Sequence, residues 1–185
     1  MQNLRKKLTE CVNDLAREQF NEREYLAEYR DIPSEVIHKQ NIFYSPNRFS
    51  ILDTASMYGD LDMLGFTDHN DNVYRERFVI PIYDQMKTVM GLCGYDADSD
   101  IKYLFSKTAY FRKERAFFGL ENMDLIYRCD YVVTVEGFFD KLRLDSLDVP
   151  SLAFMGTFIT DYHKNILRRL SFVIHIPDSD QTGVN

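Results

Sequence analysis

Val132-Val133-Thr134-Val135-Glu136-Gly137 is a β-branched apolar run that stops at a carboxylate and a glycine. Phe172-Val173-Ile174-His175-Ile176-Pro177-Asp178-Ser179-Asp180 has the same form, an apolar run closed by acids. Runs of this kind read as strands of a parallel sheet buried on both faces. The ligand crevice of such a sheet lies outside the carboxyl ends of its strands. Glu136 from one run, and Asp178 with Asp180 from the other, are therefore expected at one edge. Carboxylates drawn together repel unless cations sit among them, and hard oxygen ligands suit Mg²⁺ or Mn²⁺. The chemistry of such a site is phosphoryl transfer on nucleotides or nucleic acid. Each segment alone has an ordinary explanation, since strand ends often carry acids and Asp-rich turns form local hydrogen bonds. Their occurrence within one unit carries the reading.

The chain around them alternates. Strands are predicted at 131–135, 151–155 and 171–176, and helices at 138–146 and 161–169, with Thr160 as a cap and Pro150 as a break. That order makes an α/β unit with a parallel sheet. Upstream the period changes. Phe78–Asp84 and Thr88–Gly94 read as a hairpin around 85–87, and Pro81 marks an edge or a bulge. Lys102–Phe105 is a further short strand. Leu4, Leu8, Cys11, Val12 and Leu15 give a helix over 3–18. Asn21 is predicted to cap a second helix, and Pro33 opens a third over Ser34–Lys39. Ile42-Phe43-Tyr44 is strand-like, 49–64 helical, and 65–71 a turn-rich connection. The fold class is thus α+β: a helical and mixed subdomain over 1–122, then a partial α/β parallel sheet over 123–185.

With 45% hydrophobic and 14% aromatic residues in 185, the chain is rich enough to bury a core. No apolar run reaches bilayer length, and the polar N-terminus does not resemble a signal peptide core. The three cysteines and four histidines are scattered, so no structural zinc site is expected. Reduced thiols in a cytoplasmic protein are the plain reading. A net charge of −7 excludes coating of nucleic acid by bulk attraction. Locally, though, Lys102, Lys107, Arg112, Lys113 and Arg115 form a basic strip against two acids, Asp100 and Glu114.

Val-Glu-Gly-Phe-Phe-Asp at 135–140 and Pro-Asp-Ser-Asp-Gln-Thr-Gly at 177–183 resemble the two signatures of the TOPRIM fold. That fold is shared by primases, topoisomerases and some nucleases. Tyr74–Asp84 resembles the segment that opens the catalytic core of bacterial DnaG-type DNA primases. So do Lys102-Tyr103-Leu104 with Ser106, Phe111-Arg112-Lys113 and Phe118-Gly119-Leu120. Arg23-Glu24-Tyr25-Leu26 through Ile32-Pro33, and Ile42-Phe43-Tyr44-Ser45-Pro46, are similar to that family's N-terminal subdomain. Gly156-Thr157 is similar to its turn after the middle strand. The matches run in order over roughly residues 20–185 and favour primase over topoisomerase.

The resemblance implies a metal-dependent nucleotidyltransferase making short RNA primers on single-stranded DNA. Glu136, Asp178 and Asp180 would be its catalytic metal ligands. Arg75, Arg77, Lys102 and Lys113, with Arg112 of the basic strip, would face nucleotide or nucleic-acid phosphates. For each base a solvated surface charge is the plain alternative. The implied partners are single-stranded DNA, nucleoside triphosphates and a replicative helicase or other replication protein. The implied setting is the cytoplasm of a bacterium or phage-infected cell, with no membrane. Cys93-Gly94-Tyr95 stands where that family has Gly-Gly-Arg, and Phe105 and Glu114 where it has Asn and Gly. The family's fold continues past Asp-x-Asp, so the chain reads as a truncated piece or a shortened descendant. A non-catalytic, primase-like binding or regulatory protein is the alternative function. A small TOPRIM nuclease fits the primase-like first half less well.

Overall fold

The computed structural model describes residues 2–18, 20–45, 67–68, 71–106 and 111–178. The chain divides into two compact units, Met1–Phe111 and Arg112–Asn185.

The first unit opens with α1 (Gln2–Glu18), whose Leu8, Cys11, Val12, Leu15 and Ala16 form one buried face. Their three- and four-residue spacing is what turns them to one side. Burial pushes the Cys11 thiol up to about 12, so it stays protonated. Next come α2 (Phe20–Arg30) and α3 (Ser34–Lys39). Asn21, expected as a cap, lies inside α2. Pro33 does open α3, standing at its N-cap with φ −54°. After β1 (Phe43–Ser45), the two short strands β2 (Thr67–Asp68) and β3 (Asp71–Asn72) pair antiparallel where a turn-rich connection is expected. The helix expected over 49–64 lies outside the described residues.

The predicted hairpin is β4 (Arg77–Tyr83) and β5 (Val89–Tyr95). Asp84 Oδ1 closes its turn by accepting from the N–H groups of Met86 and Thr88, both at 2.9 Å. With β6 (Tyr103–Phe105) the antiparallel sheet runs β1-β4-β5-β6. Pro81 fits an inner strand because β1 pairs only with Arg77–Val79, leaving β4 locally an edge there. A register shift follows at Ile82/Tyr83. Gly91 is required by close approach: a Cβ there would lie 2.3 Å from Cγ of Phe111. The face of α1 packs on Phe43, Tyr74, Val79, Tyr83, Val89 and Leu92. Each such side chain contributes about 1.5–3 kcal/mol on burial.

The second unit contains α4 (Met123–Cys129), β7 (Tyr131–Val135), α5 (Phe138–Ser146), β8 (Ser151–Ala153), α6 (Asp161–Leu167) and β9 (Phe172–His175). The strands form a parallel sheet in the order β8-β7-β9. Helix α4 escaped the sequence reading because its seven residues show little period and, unlike α3 and α6, it has no opening proline or capping side chain. Asp130, at φ 56°, ends it, and its carboxylate accepts from both N–H and hydroxyl of Ser171. Those bonds join the start of β7 to the start of β9 and hold the carboxyl below its ordinary range.

Residues 112–122, placed by sequence with the first subdomain, pack in this unit. Phe118 bridges Ala153 through two 2.9 Å backbone hydrogen bonds. Gly119 follows at φ 107°, and a Cβ there would sit 2.6 Å from the stem of Lys141. Lys141 is fully buried and pairs with Asp145 and Glu121. One expectation fails outright. β9 is exposed along its whole length, with Phe172 70% and Ile174 53% exposed, whereas a buried strand is predicted.

Candidate active site

Strand register places the acids. β7 and β9 pair from Tyr131↔Phe172 to Thr134↔His175, and the N–H of Ile176 donates to the Thr134 carbonyl at 2.9 Å. Glu136 and Asp178 therefore leave adjacent parallel strands at the same edge. On the other side of β7, the ladder extends past β8: Phe154 N–H donates to Val135 O and Met155 N–H to Glu136 O, both at 3.0 Å. Met155 then adopts φ 59°, an uncommon conformation for a side chain of its length. Strained residues of this kind gather at functional sites. Gly156 follows, and Nζ of Lys113 lies 3.6 Å from where its Cβ would be. Three separate segments thus bring Glu136, Asp178 and Lys113 to the carboxyl edge of one sheet.

Glu136 is half-buried, and its carboxylate makes no ion pair or hydrogen bond among the described residues. Asp178 is exposed, and Asp180 lies outside the described residues. The sequence reading passed over Asp140 as a site residue. Its Oδ2 lies 2.7 Å from the Cβ position of Gly137, so it folds back against the end of β7 while pairing with Arg143 at 3.2 Å. The available signal was the Glu-Gly-x-x-Asp spacing, which sets an acid in the first turn of α5. Among the described residues no group of three or more His, Cys, Asp or Glu is gathered closely enough to hold a metal. The acids at this edge offer oxygen donors only, the ligand type that suits Mg²⁺ or Mn²⁺.

Lys113 stands on a 3₁₀ turn, Lys113–Arg115, that is latched to α6. Thr160 Oγ1 donates to the Glu114 carbonyl at 2.8 Å, and His163 Nε2 donates to the Ala116 carbonyl at 2.8 Å. The Thr160 N–H donates back to His163 Nδ1 at 3.1 Å, a capping box in which His replaces the usual Glu or Gln. Both ring nitrogens are committed, so this network assigns the neutral Nε2–H form. His163 is 1% exposed between Phe117 and Phe154, and burial lowers its pKa against the opposing bond to Ala116.

The other expected bases divide between the units. Arg112, Lys113 and Arg115 are exposed in the second, and Lys102 is exposed in the first with its ammonium 5.9 Å from the Tyr103 ring. Lys107 lies outside the described residues. Arg75 is exposed in the turn before β4. Arg77 is engaged locally, its two terminal nitrogens donating to Ile101 O and Ser99 Oγ at 2.8 Å each. Tyr95 is 2% exposed; Arg30 donates to its hydroxyl at 3.3 Å and stands 5.6 Å from its ring centre. Burial raises that phenol's pKa.

Comparison with known proteins follows this geometry. A DNA primase of Aquifex aeolicus is 30% identical over 191 residues, covering 93% of this chain and 38% of its own. A DNA primase of Synechococcus elongatus is 27% identical, covering 86% of this chain and 26% of its own. The chain therefore spans well under half of these relatives. The crystal structure of the Aquifex aeolicus primase zinc-binding and RNA polymerase domains superposes with a TM-score of 0.81 at 25% identity, over 96% of this chain and 49% of that one. A DnaG primase catalytic domain bound to single-stranded DNA superposes with a TM-score of 0.80 at 25% identity, over 99% of this chain and 64% of that one. The pattern of the DNA primase catalytic core, N-terminal domain, matches residues 12–124. Matched by that pattern over more than half its length, the chain belongs to the DNA primase catalytic-core family.

Proposed function

We propose that this chain carries the nucleotidyl-transfer core of a DNA primase, joining ribonucleotides into short RNA primers on a single-stranded DNA template. What supports the reading is that Glu136, Asp178 and Lys113 come from segments that end at the carboxyl edge of one sheet. Mg²⁺ or Mn²⁺ held by Glu136, Asp178 and Asp180 would supply Lewis acidity toward phosphate oxygens and a lowered pKa for a primer 3′-hydroxyl. The protein's own groups bind and orient. Lys113, latched by Thr160 and His163, sets a positive charge at the edge where a triphosphate would lie. Arg112, Lys102 and Arg75, all exposed, supply phosphate contacts that position a strand without reading its sequence. Phosphoryl transfer asks for positioning and charge more than covalent help, which suits this set. The solved relative with bound single-stranded DNA supports that polymer as template. Nucleoside triphosphates are the substrates, a replicative helicase or other replication protein the partner, and bacterial or phage replication in the cytoplasm the setting. Residues 123–185 form the partial TOPRIM part.

The test is incorporation of labelled ribonucleotides on a single-stranded template with Mg²⁺ or Mn²⁺. Short products that disappear in Glu136→Gln are expected. A second reading, a non-catalytic binding or regulatory protein, is favoured by Tyr95, which stands where the resemblance leads one to expect an arginine and is buried beneath Arg30. Single-stranded DNA binding without incorporation would select it.

A further inference from the structure

The first unit carries an aromatic surface that the site above does not use. Tyr25 and Tyr29 stand one turn apart on α2, 61% and 53% exposed, with rings 6.1 Å apart and within 14° of parallel. The row continues from Tyr25 to Phe78 of β4, at 6.3 Å and 15°. Phe78 meets its cross-strand partner Tyr44 at 5.3 Å. Between helix and sheet lies a groove of about 370 Å³ lined by Asn21, Glu22, Tyr25, Tyr44 and Phe78. Single exposed aromatics are ordinary, but contiguous ones mark interaction sites.

Among the described residues the groove's lining holds one charged side chain, an acid. Glu22 lines it, and Glu76, Asp96 and Glu22 all act on the Tyr44 phenol, raising its pKa together with burial. Glu76 is held in place at φ 56° by its N–H bond to the Ser45 carbonyl. The arginines of the same elements are directed elsewhere: Arg77 toward Ile101 and Ser99, Arg30 toward Tyr95, while Arg23 is buried. A nucleic-acid strand could stack bases on the rings, but its phosphates would meet three carboxylates. A guanidinium answers both features, since it stacks flat on aromatic faces and carries the opposite charge. The protein makes that contact internally, with Arg30 over Tyr95.

We propose that the groove docks a protein partner through a basic, arginine-bearing segment, with an arginine side chain lying over Tyr25 and Phe78 and its charge facing Glu22, Glu76 and Asp96. The test uses the full chain and a capped Gly-Arg-Gly-Arg-Gly-Arg-Gly peptide, with its lysine counterpart and a short oligo-dT as competitors. Because the chain has 12 Tyr, the assigned ring resonances of Tyr25, Tyr29 and Tyr44 are followed individually to report on the site. The arginine peptide should shift the rings of Tyr25, Tyr29 and Tyr44 and bind at least about threefold tighter than the lysine peptide. Tyr25→Ala should weaken it roughly threefold to fivefold, and Glu22→Gln with Glu76→Gln should remove most of the salt dependence. Tyr25→Leu, which keeps an apolar side chain in place, should abolish the preference for arginine over lysine. Unchanged arginine-peptide affinity in folded Tyr25→Ala or Tyr25→Leu would overturn the proposal. So would preferential shifting of the same rings by oligo-dT, which would assign the surface to nucleic acid.

Discussion

β7 and β9 are neighbours in one sheet, built from nearly interchangeable residues, yet they live in different surroundings. Val132, Val133, Thr134 and Val135 of β7 are each less than 8% exposed. Phe172, Val173 and Ile174 of β9 are 70%, 42% and 53% exposed. β7 is central, with β8 on one side and β9 on the other, and the layer holding Phe138, Phe139 and Leu142 of α5 is buried beside it. β9 has β7 on one side only among the described residues. A β-branched apolar run therefore reports that a strand forms, not that both its faces are covered. Burial is decided by neighbours that come from elsewhere in the chain.

The comparison breaks most sharply if the two strands respond alike to a buried charge. Val132→Asp should destabilise the second unit by at least about 4 kcal/mol, since an unpaired carboxylate would be buried in the sheet. Ile174→Asp should cost about 1 kcal/mol or less, because its side chain already reaches water. Chemical denaturation of both variants measures the difference, and equal losses would mean that β9 is covered in solution.

A second test concerns the acids that close the strands. Glu136→Gln should reduce metal-dependent nucleotidyl transfer by roughly 100-fold or more, about 3 kcal/mol. Its apo melting temperature should hold or rise, because removing one carboxylate relieves repulsion at the edge. A marked fall in apo melting temperature would make Glu136 a structural residue.

Joining the two strand ends through a cation should be a smaller effect. Mg²⁺ or Mn²⁺ at tenfold over its dissociation constant should add about 1.4 kcal/mol and raise the melting temperature by a few degrees. Asp178→Asn with Asp180→Asn should remove the shift. An undiminished response in that variant would place metal binding away from β9.

The smallest expected effect tests the latch behind Lys113. The folded pKa of His163 is lowered below its ordinary 6.5, so the unfolded chain takes up the proton first. The stability that neutral His163 contributes is complete above about pH 6.5 and is lost as pH falls through the lowered folded value. His163→Gln should be less stable than wild type at pH 7.5 yet lose less on acidification to pH 5.5. Parallel melting curves across that range would show that His163 is not the titrating group.

What the residues determined alone is substantial and local. Apolar runs and turn residues placed β4, β5, β7 and the helices α1, α3, α5 and α6 close to where they stand. Thr160 was legible as a cap because capping needs only neighbours in sequence. Glu136 and Asp178 were legible as edge acids because a parallel sheet sends its strand ends to one side. Tertiary structure decided the rest. It exposed β9, gathered residues 112–122 around the parallel sheet, and buried Lys141 beneath Gly119. It also recruited His163 to hold the turn that carries Lys113, and engaged Arg77 with a loop. Each of these depends on a partner distant in sequence, and no local pattern encodes which distant residue a fold brings into contact.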